Sequence, residues 1–207
     1  MSSALRLAAT VILARPASGS IEVLMLRRSA KSPFMPGAFV FPGGAVDAID
    51  YERGRVEGWH DARIDAAPDD AHALVRAAAR ELHEEANVTV APEALTFFSH
   101  WITPEREPRR FNTYFFVAPA PPGAVGVADA VETHDARWLA PKEALDAYAR
   151  GELYLVFPTI KHLERLTAFT GIDALLAFAR EKPVVTIMPD RPPSEGVELP
   201  QALEGRW

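Results

Sequence analysis

Residues 80–88 read Arg-Glu-Leu-His-Glu-Glu-Ala-Asn-Val, and a Phe-Pro-Gly-Gly turn stands upstream at 41–44. Glu81, Glu84 and Glu85 place three carboxylates within five residues of an alanine-rich stretch. With roughly 100° between successive helical residues, they fall on one arc of about 100°. Ala71, Val75, Ala78, Ala79, Leu82 and Ala86 gather on a separate stripe of the same helix, the side that faces a core. Like charges three or four residues apart repel by about 0.2–0.5 kcal/mol per pair. A cation would neutralise the cluster, and hard carboxylate oxygens suit magnesium or manganese. A solvated, glutamate-rich surface face is the bland alternative.

Working outward, residues 5–14 and 21–27 are two apolar strands, and Pro16-Ala-Ser-Gly-Ser between them is turn chemistry. A third short strand at 37–41 ends on Pro42-Gly43-Gly44. From 48 to 68 the chain is polar, mixed in charge and without apolar period, which predicts a surface loop with room for one short helix. Asp69 and Asp70 are the predicted cap of the long helix, which runs to about Ala86. Strands follow near 95–102 and 111–118, then a Pro- and Gly-rich connection at 119–126 and a strand over 132–139. Pro141 suits the first turn of a helix, and two more helices are predicted near 158–169 and 172–181. Residues 190–207, with Pro192, Pro193 and Pro200, read as an extended tail. Periodicity alone therefore predicts one mixed α/β domain over 1–207.

Composition narrows the function. A chain of 207 residues with 48% hydrophobic content can bury one sizeable core. The formal net charge of −6 disfavours a nucleic-acid backbone as the main partner. There is no cysteine, which removes disulfides, thiol catalysis and zinc–thiolate sites. No apolar run approaches the roughly 18 residues of a membrane span. The stretch from Leu5 to Leu13 lacks a charged leader and a cleavage site, and the final Gly-Arg-Trp carries no peroxisomal address. A cytoplasmic location is expected, with a homodimer left open.

Arg80, Glu81, Leu82, Glu84, Glu85 and Val88 resemble the second half of the signature of the Nudix hydrolase family. That signature runs Gly, five residues, Glu, seven residues, then Arg-Glu-aliphatic-x-Glu-Glu-x-Gly-aliphatic. Asn87 replaces its last glycine, a position that usually needs positive φ, which Asn tolerates next best. Gly44 to Arg80 spans 36 positions, so about 22 extra residues interrupt the signature. The first Glu has two candidate counterparts: counting from Gly44 gives Asp50, and counting back from Arg80 gives His72.

The resemblance implies an α/β/α sandwich with a mixed sheet, an insertion inside the signature and extra C-terminal helices. It implies a Mg²⁺- or Mn²⁺-dependent diphosphatase in which Glu81, Glu84 and Glu85 hold metal. Glu81 would share in water activation, and Arg80 would orient the carboxylates. Glu132 stands where many members carry a further metal carboxylate, and Asp47 and Asp50 would be outer ligands. Gly43 and Gly44 would let backbone approach the phosphates, and Arg27, Arg28 and Arg110 would meet them. The partner expected is a small-molecule diphosphate. Residues 24–44 also resemble a motif of coenzyme A diphosphatases, with Arg28, Ser29, Gly37 and Phe41 at the expected spacing and Pro33 where that motif has arginine. The run Phe34-Met35-Pro36-Gly37-Ala38 and Arg110-Phe111-Asn112-Thr113 are similar to the branch containing the peroxisomal enzyme. Coenzyme A or acyl-coenzyme A is the implied substrate. The alternatives are ADP-ribose or a dinucleotide, and, in another class, a catalytically silent nucleotide-sensing module.

Overall fold

Strands β1 (Leu5–Ala17) and β2 (Ser20–Arg28) carry apolar residues on both faces and set the architecture. The computed structural model describes residues 4–32, 34–189 and 199. Along β1, Ala9, Val11 and Leu13 enter one core cluster while Ile12 and Ala14 enter another. A strand covered on both sides loses the polar half of its alternation, which is why these segments read as continuous apolar runs. Gly19 makes the connecting turn at φ +70°.

Among the described residues six more strands join the sheet: β3 (Phe39–Val40), β4 (Gly43–Ala45), β5 (Thr96–Ile102), β6 (Arg110–Pro119), β7 (Thr133–Leu139) and β8 (Thr186–Ile187). The order is β3-β2-β1-β6-β5-β8, with β4 also on β1 and β7 also on β2. β1 runs parallel to β6, and β5 parallel to β8; the other pairs are antiparallel. The sheet is therefore mixed, as expected. β4 was not legible as a strand, because its glycines signal only a turn. They pair with Thr10 and Ala9 of β1.

Among the described residues five α-helices cover the two faces: α1 (Ala48–Glu52), α2 (Pro68–Ala86), α3 (Pro141–Ala149), α4 (Phe157–Leu166) and α5 (Ile172–Glu181). Leu74, Val75, Ala78 and Leu82 of α2 pack with Phe97 and Phe116 on one side of the sheet. Ala144, Leu163, Leu166, Leu175 and Ala179 of the C-terminal helices pack with Phe98 and Phe115 on the other. This is the α/β/α layering the resemblance implied.

One local expectation is corrected. Helix α2 is capped by the backbone at Ala67 with Pro68 in its first position, and Asp69 and Asp70 lie inside the first turn. Proline fits there because that N–H has no intrahelical partner, and the acids still favour the positive helix end. The stretch 48–68 is a mostly exposed loop with one short helix, as predicted, and side-chain contacts anchor it. It carries α1, buries Asp50 and Val56, and is tied to the rest of the fold by Trp59 Nε1 donating to the Leu95 carbonyl (3.0 Å) and Tyr114 Oη donating to that of Asp65 (2.9 Å). At its other end α2 stops on Asn87 at φ 53°, ψ 36°, the left-handed conformation anticipated from the missing glycine.

The predicted tail, 190–207, lies outside the described residues apart from Leu199, which is buried with the cluster of α4 and α5. Among the described residues no helix is long and apolar enough to cross a membrane.

Candidate active site

The sheet places one end of α2 against β4, and the contact depends on glycine. A Cβ on Gly44 would lie 2.4 Å from Cδ of Glu81 and within 2.6 Å of both its carboxylate oxygens. A Cβ on Gly43 would lie 2.4 Å from the Ala9 carbonyl oxygen. Only glycine leaves room for the Glu81 carboxylate over the strand. The Gly43 N–H in turn donates to Oε2 of Glu85 at 2.9 Å.

Arg80 organises the remaining carboxylates. Its Nε donates to Oδ1 of Asp50 (3.0 Å) and its Nη2 to Oδ2 (2.9 Å), a two-pronged pair. Its Nη1 donates to Glu81 Oε1 (2.8 Å) and Glu84 Oε2 (2.9 Å), and Nη2 also reaches the Ala45 carbonyl (3.1 Å). These acceptors hold the guanidinium firmly charged, with its pKa raised chiefly by Asp50. Asp50 is 2% exposed and accepts a further hydrogen bond from the Asp47 N–H (2.9 Å).

The two candidates for the first carboxylate sit in different places. Asp50 meets Arg80. His72 is elsewhere: its Nδ1 accepts from the Val56 N–H (3.1 Å), and its ring packs edge-on to Trp59. With Asp50 as that carboxylate, the extra residues fall between Asp50 and Arg80.

A cleft of about 540 Å³ opens beside this cluster. Glu81, Glu84 and Glu132 line it, together with Asp47, Gly43 and Gly44. Glu85, 4% exposed, sits behind that wall. Burial pushes the Glu85 carboxyl up to about 8, against the pull of the Gly43 N–H, and Glu81 adds to the rise. Burial also raises Glu81, with Arg80 opposing.

No three Asp, Glu or His side chains among the described residues converge closely enough to enclose a cation by themselves. Glu81 and Glu84 are held by Arg80, and Glu85 by the glycine turn. The donor chemistry nonetheless fits a hard divalent ion. The glutamates are oxygen donors on one helix turn with Glu132 across the cleft, and the buried acids are ones that a nearby positive charge would ionise.

The arginines sort by strand alternation. Arg28 lines the cleft, where its guanidinium is engaged with Ser32 Oγ and the Phe34 carbonyl (3.0 Å). Arg27, the next residue back along β2, is exposed and lies outside the cleft lining, because neighbouring residues of a strand face opposite ways. Arg110 is likewise displaced: it donates to the Thr103 carbonyl, while Arg109, Phe111, Thr113 and Phe115 line the cleft at every second position. Arg6, Ala8 and Thr10 do the same along β1. Arg6 and Arg109 line the cleft although the sequence did not single them out.

A profile described as the NUDIX domain matches residues 4–159. The chain belongs to the Nudix family. A Caenorhabditis elegans protein designated nudix hydrolase 7 is 27% identical over 210 residues, which cover 91% of this chain and 70% of that protein. Acyl-coenzyme A diphosphatase NUDT19 of Xenopus laevis is 25% identical over 239 residues, covering 76% of this chain and 62% of its own length. The crystal structure of a NUDIX hydrolase from Alicyclobacillus acidocaldarius shares the fold with a TM-score of 0.72 at 26% identity, over 84% of this chain and 96% of that one. The Nudix chain described here is a hydrolase of phosphoric anhydride bonds, a family that generally uses divalent cations.

Proposed function

We propose that this Nudix hydrolase cleaves the diphosphate of coenzyme A or an acyl-coenzyme A with Mg²⁺ or Mn²⁺. The observation that carries the reading is a juxtaposition. Arg28, Phe34, Met35 and Phe41, from the stretch that resembles coenzyme A diphosphatases, line the same cleft as Glu81 and Glu84. The acyl-coenzyme A diphosphatase among the relatives supports the same substrate class.

In this reading Glu81, Glu84 and Glu132 would hold the cation, with Glu85 behind them. A bound ion would supply positive charge to the diphosphate oxygens and make water a better nucleophile. Glu81 takes the proton of the attacking water, whose oxygen bonds to phosphorus as the bridging P–O bond breaks. Arg80, braced by Asp50, fixes the orientation of Glu81 and Glu84. Gly43 and Gly44 let β4 lie close against Glu81 and β1, and Arg28 faces the diphosphate with positive charge. The products are 3′,5′-ADP and 4′-phosphopantetheine or its acyl form.

Turnover of coenzyme A, 3′-dephospho-coenzyme A and ADP-ribose at matched Mg²⁺ and Mn²⁺, followed by mass spectrometry, tests the assignment. Coenzyme A species are expected to have the largest kcat/KM. A much larger value for ADP-ribose transfers the assignment to that substrate class.

A further inference from the structure

We infer that Arg6 and Arg109, with the Phe34–Phe111 pair between the two strands' ends and the loop above them, form a subsite for a nucleoside carrying a phosphate of its own, separate from the diphosphate that is cleaved. The inference deepens the coenzyme A reading and rests on it for the identity of the nucleotide.

The parallel ladder brings the parts together. Arg6 of β1 is in register with Phe111 of β6, so their side chains stand side by side across a gap of about 4.8 Å. Arg109 precedes Phe111 by two residues and lines the same cleft. Phe111 is thus flanked by one arginine across the ladder and by another along the chain. Phe34 leans on Phe111 with ring centroids 5.3 Å apart at 60°, and both rings are half-buried in the cleft wall. Half-buried aromatic rings offer a base a stacking surface.

Charge is available there. Neither Arg6 nor Arg109 makes an ion pair with a described residue, whereas Arg80 and Arg28 are both engaged. Glu107, two residues before Arg109, also lines the cleft. Guanidinium groups pair with phosphate through two N–H donors at once, which suits them to a terminal phosphate.

The separation from the acidic wall argues for a second anion. Gly43, at the carboxylates, pairs with Thr10, four residues up β1 from Arg6, or about 13 Å along the strand. The arginines at that remove, with an aromatic pair beside them, match a base flanked by a sugar phosphate, as in the 3′-phosphorylated adenosine of coenzyme A. The arginine absent at position 33 is in this way supplied from β1 and the start of β6.

The test titrates 3′,5′-ADP and 5′-AMP into the wild type, Arg6→Ala, Arg109→Ala and the double variant by calorimetry, with thermal melts to confirm folding. The wild type is expected to bind 3′,5′-ADP at least about tenfold tighter than 5′-AMP, and the double variant to lose most of that ratio. Lysine at both positions is expected to restore part of it. A wild-type ratio near one, or a ratio unchanged in the double variant, overturns the subsite. Turnover keeps the two readings apart: coenzyme A cleavage with an unchanged ratio leaves the substrate assignment standing and removes the subsite. A collapsed ratio without coenzyme A cleavage does the reverse.

Discussion

Arg80 and Asp50, thirty residues apart, meet through two parallel hydrogen bonds of 3.0 and 2.9 Å in a nearly buried pair. The contact joins the short helix α1 to the carboxylate turn of α2. It fixes the one guanidinium that also holds Glu81 and Glu84. Removing one partner of such a pair strands the other charge, at a cost of about 3–5 kcal/mol. Asp50→Ala is therefore expected to lower the thermal midpoint markedly. Asp50→Asn keeps the shape and part of the bonding, so it should lower kcat more than it raises KM. Melting curves and steady-state kinetics on the two variants check this, and wild-type kcat in Asp50→Asn would remove Asp50 from the positioning role.

Gly44 offers a separate handle on the same carboxylate. A single methyl at this position would overlap Glu81 at 2.4 Å, and the side chain has to move away from the strand. Misplacing a catalytic group by about 1 Å costs on the order of 10²-fold in rate. Gly44→Ala is expected to lose activity on that scale while staying folded, since the clash is with the end of a flexible side chain. Activity near wild type would show that the close approach of Glu81 to β4 is incidental.

Much of this arrangement was legible in the sequence, and the rest was hidden for identifiable reasons. The two-faced strands, the acidic arc of α2 and the left-handed Asn87 each follow from local pattern. Asp50 against His72 could not be decided by counting, because an insertion of unknown position separates the two reference points. Arg109 against Arg110 depends on which face of β6 looks into the cleft, and a one-residue difference reverses it. Trp59, Asp65 and Val56 hide in a stretch without apolar period because each anchors singly. The Ser99–His162 contact links residues 63 apart, and nothing local announces it.

That last pair gives a pH dependence. His162 is fully buried, its Nδ1–H donates to the Pro158 carbonyl (2.6 Å), and its Nε2 therefore accepts from Ser99 Oγ (2.6 Å). Burial pushes its pKa down to about 3, whereas an unfolded chain protonates histidine near 6.5. Below about pH 6.5 the unfolded state binds a proton that the native state refuses, so stability falls as pH drops toward 3. Above 6.5 this contribution is complete. The slope is at most about 1.4 kcal/mol per pH unit. Denaturant titrations between pH 7.5 and 5 on the wild type and His162→Gln check it: the variant should show the shallower loss, and identical slopes would contradict the neutral, buried histidine.

The cation requirement rests on the acidic wall. Glu81 and Glu84 line the cleft and each gives one oxygen to Arg80. Glutamine keeps their size and removes the charge that attracts a hard ion. Glu84→Gln is expected to raise the Mg²⁺ concentration needed for half-maximal activity. Glu81→Gln should in addition lower kcat at saturating metal, by the 10²–10⁴-fold typical of a lost general base. Full turnover in excess chelator would contradict the metal reading as a whole. Equal behaviour of the two variants would remove the special role given to Glu81.

The extra residues between Asp50 and Arg80 give the last expectation. Arg63 lies in this stretch, and its guanidinium donates to the carbonyls of Phe97 (3.0 Å), Ala179 and Lys182 (3.0 Å) while pairing with Asp61. It therefore ties the insertion to β5 and to the end of α5, closing carbonyls that α5 leaves open at its C-terminus. Each hydrogen bond to a charged group contributes about 1.5–3 kcal/mol, so Arg63→Ala is expected to destabilise the fold by several kcal/mol with little direct effect on chemistry. Joining Asp47 directly to Asp69 removes this anchor together with Asp50, Val56 and Trp59, and that shortened chain should lose both stability and activity. Restoring residues 48–52 alone returns the partner of Arg80 without the anchor, and is expected to recover a measurable kcat at low temperature while the melting point stays depressed. If the fully shortened chain instead melts and turns over like the wild type, the insertion is dispensable and Asp50 has no part in holding Arg80.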